Sequence, residues 1–207
     1  MIASTVAYWD LFVHFMSSGG IVMWVLFALN LVLWYGLGYR YLTLKRGTRG
    51  TIRRLIQKHE ERGEGKVYVG LLDYVISDTM KAAQEARNIS KNPREYMQDA
   101  VFPYLMSLGK YSTLVKTIVM LAPLVGLLGT VMGMIETFDA LQSSSMFSQG
   151  DSISGGISKA LFTTELGLVV AVPGLIVGKI LDKKEEQFSL EFEQIIDIIS
   201  TKDSNEI

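Results

Sequence analysis

Cysteine is absent from this chain, which excludes a disulfide framework, a thiol nucleophile and cysteine-based metal sites. Histidine is scarce: His14 and His59 stand apart, and neither has the companions of a nucleophile–base set. There is no nucleotide-binding glycine loop, internal repeat, low-complexity tract or candidate strand of any length. These gaps predict a protein that is not an enzyme, uses no cofactor or metal, and has no nucleic-acid partner. Lysine and arginine are missing from residues 1–39 and 139–156, although the chain carries 20 of them against 21 acids.

What is abundant is apolar residue, 49% of the chain, and it is clumped. Segments 20–39, 117–138 and 157–181 each reach about 20 residues or more, enough for a ~30 Å hydrocarbon core at ~1.5 Å rise per residue. The basic residues sit at one end of all three. Arg40, Lys45, Arg46, Arg49, Arg53 and Arg54 follow the first, Lys110 and Lys116 precede the second, and Lys179, Lys183 and Lys184 close the third. Only Lys159 stands on the other side. The positive-inside rule then puts the N-terminus outside, with the 40–116 loop and the C-terminus in the cytoplasm. The expected fold is all-α: an integral membrane protein with three transmembrane helices, two of them extended into a cytoplasmic helical bundle.

The expected order is an outer interfacial segment (1–19), a first span (20–39), a cytoplasmic helical domain (40–116), a second span (117–138), a periplasmic loop (139–156), a third span (157–181) and a cytoplasmic C-terminal helix (182–207). The N-terminus lacks a basic n-region and is interrupted by Asp10 and His14, so it does not read as a cleavable signal. Tyr8, Leu11, Phe12 and Phe15 share one helical face, with Trp9 beside them. That pattern suits either an amphipathic helix at the outer interface or a buried first turn of the bundle.

In the cytoplasmic domain, Thr48–Arg62 reads as a charged helix broken at Gly63-Glu-Gly65, and 67–87 as a second with Val67, Leu71, Tyr74, Val75 and Asp78 on one face. Asn88–Asn92 reads as a loop. Asn92-Pro93-Arg94-Glu95 then starts a long helix that runs into the second span, with Pro103 and Gly109 as places where it bends or breaks. Beyond Lys184, Phe188, Phe192, Ile195 and Ile199 form an apolar stripe opposite Glu185, Glu186, Glu191 and Glu193.

The second span carries Gly126, Gly129, Thr130, Gly133 and Thr137 at helical spacing; the third carries Ala160, Thr164, Gly167, Ala171, Gly174 and Gly178, with Pro173 among them. Lipid gives no reason to prefer small residues, whereas close helix packing does. The two helices run in opposite directions, so 1.5 Å per residue brings the Thr130 and Thr164 hydroxyls to nearly the same depth. Each can bond to its own helix backbone; together they can also line a polar track for protons. Glu165, next to Thr164 but about 100° round the helix, is costly in hydrocarbon and joins them as a proton-pathway candidate. Glu136 and Asp139 are placed to meet Lys159, with Lys159–Glu136 a possible outer ion pair.

Three stretches carry a family resemblance: Ala122-Pro-Leu-Val-Gly-Leu-Leu-Gly-Thr-Val-Met-Gly133, Gly156-Ile-Ser-Lys-Ala-Leu-Phe-Thr-Thr-Glu-Leu-Gly-Leu-Val-Val-Ala-Val-Pro173, and Gly19-Gly-Ile-Val-Met-Trp24. They resemble the second-helix, third-helix and first-helix motifs of the ExbB/TolQ proton-channel subunits, relatives of flagellar MotA, and most of all ExbB. The resemblance implies a homopentamer in the bacterial inner membrane, its second and third helices surrounding a pore. A single-span ExbD/TolR-like partner would occupy that pore and supply a titrating aspartate. Proton-motive force would become motion acting on a TonB-like or TolA-like client. Thr130 and Thr164 map onto the family's pore threonines. The sequence departs at Lys159, where the family commonly has Glu, and at Glu165, where a small residue is common. A Tol-type, gliding or secretion motor, or a non-conducting scaffold, are the alternative readings.

Overall fold

The computed structural model describes residues 2–45, 50–62, 70–89, 92–143 and 149–205, which form helices and, among them, no strand. In chain order these are α1 (Ile2–Ser18), α2 (Gly20–Thr43), α3 (Ile52–Arg62), α4 (Leu71–Ile89), α5 (Pro93–Leu108), α6 (Ser112–Ser143) and α7 (Gln149–Asn205). Among the described residues, three stretches are long and apolar enough to cross a membrane, and they lie on α2, α6 and α7. The chain divides into two compact units: residues 1–37 with 113–178, and residues 38–112 with 179–207.

In the first unit, Gly20 adopts a left-handed backbone (φ +66°), which turns α1 into α2 at a conformation glycine takes at little cost. Two edge-to-face ring pairs seat α1: Phe12 on Phe27 at 5.6 Å and Phe15 on Phe162 at 5.4 Å. Trp9 stays exposed. The side chains of Tyr8 and Leu11 lie outside the described residues. Pro123 and Pro173 do not break their helices. The outward surface of α6 and α7 is apolar, with Leu124, Leu127, Leu128, Leu161, Leu168 and Val172 all at least half exposed. In water that would be a large sticky patch; in lipid it is an ordinary outer surface.

The second unit is built on α4 packing along α5. Leu72, Val75, Ile76, Thr79, Ala83 and Ala86 are buried, whereas Tyr74 is about half exposed. Of the expected Leu71, Tyr74, Val75 and Asp78 face, Val75 is buried, but the buried line is otherwise turned toward Leu72, Ile76 and Thr79. That rotation buries more aliphatic surface and leaves Asp78 at the rim, where the Tyr104 hydroxyl donates to it at 2.6 Å. Helix α3 starts at Ile52; residues 46–49, the break at Gly63–Gly65 and Val67 lie outside the described residues. Asn92 is extended ahead of Pro93, as a helix start requires, but its side chain makes no cap hydrogen bond.

The long helix expected from residue 93 into the second span is two helices. Pro103 is accommodated inside α5, and the break falls at Gly109–Tyr111. Tyr111 takes a left-handed backbone (φ +65°), and its ring meets Tyr39 edge-on at 5.0 Å with Lys110 over both rings. On α7, Phe188, Phe192, Ile195 and Ile196 are buried. Glu186 and Glu193 are exposed opposite them, but Glu185 is not part of that outer face. It accepts a hydrogen bond at 2.6 Å from Arg40 Nη2, which also donates to Asp182 Oδ1 at 2.8 Å. Arg40 is thus a fully buried ion-pair partner and not merely a surface charge following the first span.

Candidate functional site

Small residues decide how α6 and α7 meet. A Cβ placed on Gly126 would lie 2.9 Å from the Thr163 carbonyl oxygen and 3.4 Å from Gly167 Cα. One on Gly133 would lie 2.7 Å from the Gly156 carbonyl and 2.9 Å from the Ala160 nitrogen. One on Gly167 would lie 2.9 Å from the Ala122 carbonyl. Numbers rise along α6 as they fall along α7, so the helices are antiparallel and nearly backbone to backbone. Such contact is what replaces the hydrophobic effect between helices in lipid. Ala160 and Ala171 are buried alongside, and Pro173 is partly buried.

Gly129 faces Thr163, which is completely buried, and not Thr164. The Thr163 hydroxyl donates to the carbonyls of Lys159 and Ala160, both at 3.0 Å. Sequence spacing did not single out Thr163, because Ala160–Thr163–Gly167 and Ala160–Thr164–Gly167 both fit a helical stripe. Thr137, also buried, donates to the Gly133 carbonyl at 2.9 Å.

Thr130 and Thr164 are partly exposed and each comes one residue after a seam residue, Gly129 and Thr163 respectively. One residue is about 100° of helix. Because the helices are antiparallel, the same step on each turns both side chains to the same side of the pair. Thr130 lies between Gly129, opposite Thr163, and Gly133, opposite Ala160, while Thr164 lies opposite Gly126. Their levels therefore fall within about one turn, ~5 Å. Both hydroxyls bond their own helix: Thr130 to the Leu127 carbonyl at 2.6 Å, Thr164 to the Ala160 carbonyl at 3.2 Å.

Lys159 and Glu136 each come one residue before a seam residue, so they turn to the opposite side. There Lys159 Nζ donates to Glu136 Oε1 at 2.5 Å. The lysine stem crosses Gly20, where a Cβ would come within 2.6 Å of Lys159 Cε. Glu165 is two residues past Thr163, about 200° round α7, and so points away from the seam. It is exposed, and no hydrogen bond or ion pair reaches it among the described residues. The structure thus brings Thr130 and Thr164 to one side, Lys159 and Glu136 to the other, and Glu165 to neither.

The sequence model of the MotA/TolQ/ExbB proton channel family matches residues 70–194. This chain belongs to that family. The MotA/TolQ/ExbB match takes in all of α6, the seam half of α7 and both threonines. Among relatives, a putative ExbB-like biopolymer transport protein of Synechocystis is 35% identical over 47% of this chain and 48% of its own length. The Aquifex aeolicus biopolymer transport protein ExbB is 37% identical over 40% of this chain and 55% of its own. A putative ExbB-like protein of Helicobacter pylori J99 is 26% identical over 93% and 98%. The chain spans about half the length of the more similar of these curated relatives. It is a membrane protein of the MotA/TolQ/ExbB family, and its three apolar helices are the elements that such a protein places in the bilayer.

Proposed function

We propose that this chain is the wall subunit of a proton-conducting motor in the bacterial inner membrane. Copies assemble as a homopentamer with the N-terminus periplasmic and the C-terminus cytoplasmic, around an ExbD/TolR-like single-span partner. Proton-motive force then drives motion of a periplasm-spanning client such as a TonB-like protein. The observation that carries the reading is the pair of partly exposed hydroxyls, Thr130 and Thr164, on one side of the closely packed α6–α7 seam. That side is free to face a pore, and an acid brought by a partner helix finds both hydroxyls within one turn. Glu165 points away from the seam, so it joins the pathway only through a neighbouring copy of the chain or the partner, not through this helix pair. One charge crossing ~100 mV yields ~2.3 kcal/mol, enough to drive modest conformational steps.

A non-conducting scaffold is the second reading, favoured by the fact that both hydroxyls are already bonded to their own helices. Proteoliposomes holding the chain with its partner decide between them. Partner-dependent proton flux in wild type, lost in Thr130→Val/Thr164→Val with the assembly intact, supports conduction. Unchanged flux in the double variant removes the hydroxyls from the pathway; no flux in wild type favours the scaffold. A Tol-type, gliding or secretion client is separated from a TonB-like one by which client co-purifies.

A further inference from the structure

The last turn of α2 and the neighbouring stretch of α7 gather two cations on one ring. Lys45 Nζ lies 5.9 Å and Lys184 Nζ 5.7 Å from the centroid of Tyr41. Both lysines and the ring are exposed, and neither ammonium forms an ion pair among the described residues. Of the acids on this stretch of α7, Asp182 and Glu185 are held by Arg40, and Glu186 is exposed and forms no ion pair with either lysine among the described residues. The ring face attracts each cation, but two like charges drawn to one phenol repel each other. An anion between them would relieve that repulsion. One turn along α2, Gly38 has free space where a side chain would be. One turn along α7, Ile180 is half exposed.

We infer that Tyr41, Lys45 and Lys184 form a headgroup site for an anionic phospholipid, its phosphate between the ammoniums and its acyl chain along Gly38 and Ile180. Tyr41 lies at the end of the apolar helix Gly20–Thr43, which is the bilayer boundary of that span. The charge asymmetry of the chain assigns this end to the cytoplasmic leaflet. Lipid is the occupant, because free phosphate would use the cations but leave the open space at Gly38 and the exposed Ile180, each one turn away, uncovered.

Beyond the surface attraction that all four exposed lysines share, each direct ammonium–phosphate hydrogen bond contributes roughly five-fold, so the two together contribute about thirty-fold. The purified full chain, in nanodiscs of phosphatidylcholine with increasing phosphatidylglycerol, is scored for retained phosphatidylglycerol by native mass spectrometry. Lys45→Gln/Lys184→Gln is expected to lose roughly thirty-fold in preference for phosphatidylglycerol over phosphatidylcholine. Lys179→Gln/Lys183→Gln removes the same charge from exposed lysines outside the ring contact, and is expected to keep most of it. Inorganic phosphate is expected not to displace the lipid. Equal loss from both double variants reduces the cluster to general surface attraction and overturns the site, as does wild type without preference or displacement by phosphate.

Discussion

Arg40 offers the sharpest test of how the second unit is held. Its side chain is fully buried, while Asp182 and Glu185 remain about 30% exposed. Only Nη2 is engaged; Nε and Nη1 are buried with no hydrogen-bond partner. The asymmetry of burial makes the asymmetry of cost. Removing both acids by Asp182→Asn/Glu185→Gln strands a buried cation, and breaking a buried pair in this way costs ~3–5 kcal/mol. Arg40→Met keeps most of the apolar stem and leaves two carboxylates that water already reaches. Solvation of the part-exposed acids discounts the loss to about 1–3 kcal/mol. The triple variant carries no charge in the cluster and loses the orphaned donors, so it is expected within ~1 kcal/mol of wild type. Equilibrium unfolding in mixed detergent micelles, with all variants at one pH and salt, gives the three numbers. The reasoning fails if Arg40→Met is as costly as the double acid variant, or if the triple variant is the least stable of the set.

Other expectations follow from single contacts. Gly133→Ala drives a Cβ into backbone atoms that cannot rotate away and is expected to cost ~1–3 kcal/mol. Gly178→Ala meets only Val115 Cγ1 at 3.5 Å and is expected to be neutral or stabilising by up to ~1 kcal/mol, compared by the same unfolding assay. Gly20→Ala strains a left-handed backbone and displaces Lys159, so a loss of ~1–3 kcal/mol is expected. Combined with Lys159→Ala its effect should be less than additive, since one contact is lost twice; strict additivity in the cycle removes the coupling. Tyr104→Phe loses the 2.6 Å bond to Asp78 at a part-buried position, and a thermal midpoint reduced by the equivalent of ~1 kcal/mol is expected.

The three apolar helices could be read from the sequence because lipid imposes one simple rule, a run of ~20 apolar residues. The small residues of the seam were legible for a related reason, since lipid cannot explain them. Which threonine fills the slot opposite Gly129 was not. Thr163 and Thr164 are adjacent, and a 3–4 spacing tolerates either, so only the packing of the second helix selects one. The α4 face escaped for the same cause, with two overlapping stripes and tertiary burial choosing between them. Arg40 shows a different blindness: a basic residue after a span is ordinary, and its two acids lie 142 and 145 positions away. The break at Gly109–Tyr111 depended on Tyr111, a bulky residue in a backbone region that sequence rules assign to glycine or asparagine.

The hydroxyls divide into two groups by what surrounds them. Thr137 and Thr163 are buried in the seam and bonded to their own backbones, with the Thr163 side chain against Gly129 and the Thr137 hydroxyl against Gly156. For them a structural role accounts for everything seen. Thr130 and Thr164 make the same kind of backbone bond yet sit off the seam, where an aliphatic residue would pack against lipid at no polar cost. A hydroxyl there brings the monomer nothing that valine would not. It gains a purpose only if the shared side of α6 and α7 faces something polar. Glu165, on a different face of α7 and without a partner among the described residues, makes the same demand more strongly. The first unit thus buries its small residues inward and leaves Thr130, Thr164 and Glu165 on its outer surfaces, where only a polar neighbour gives them a use beyond their own helices.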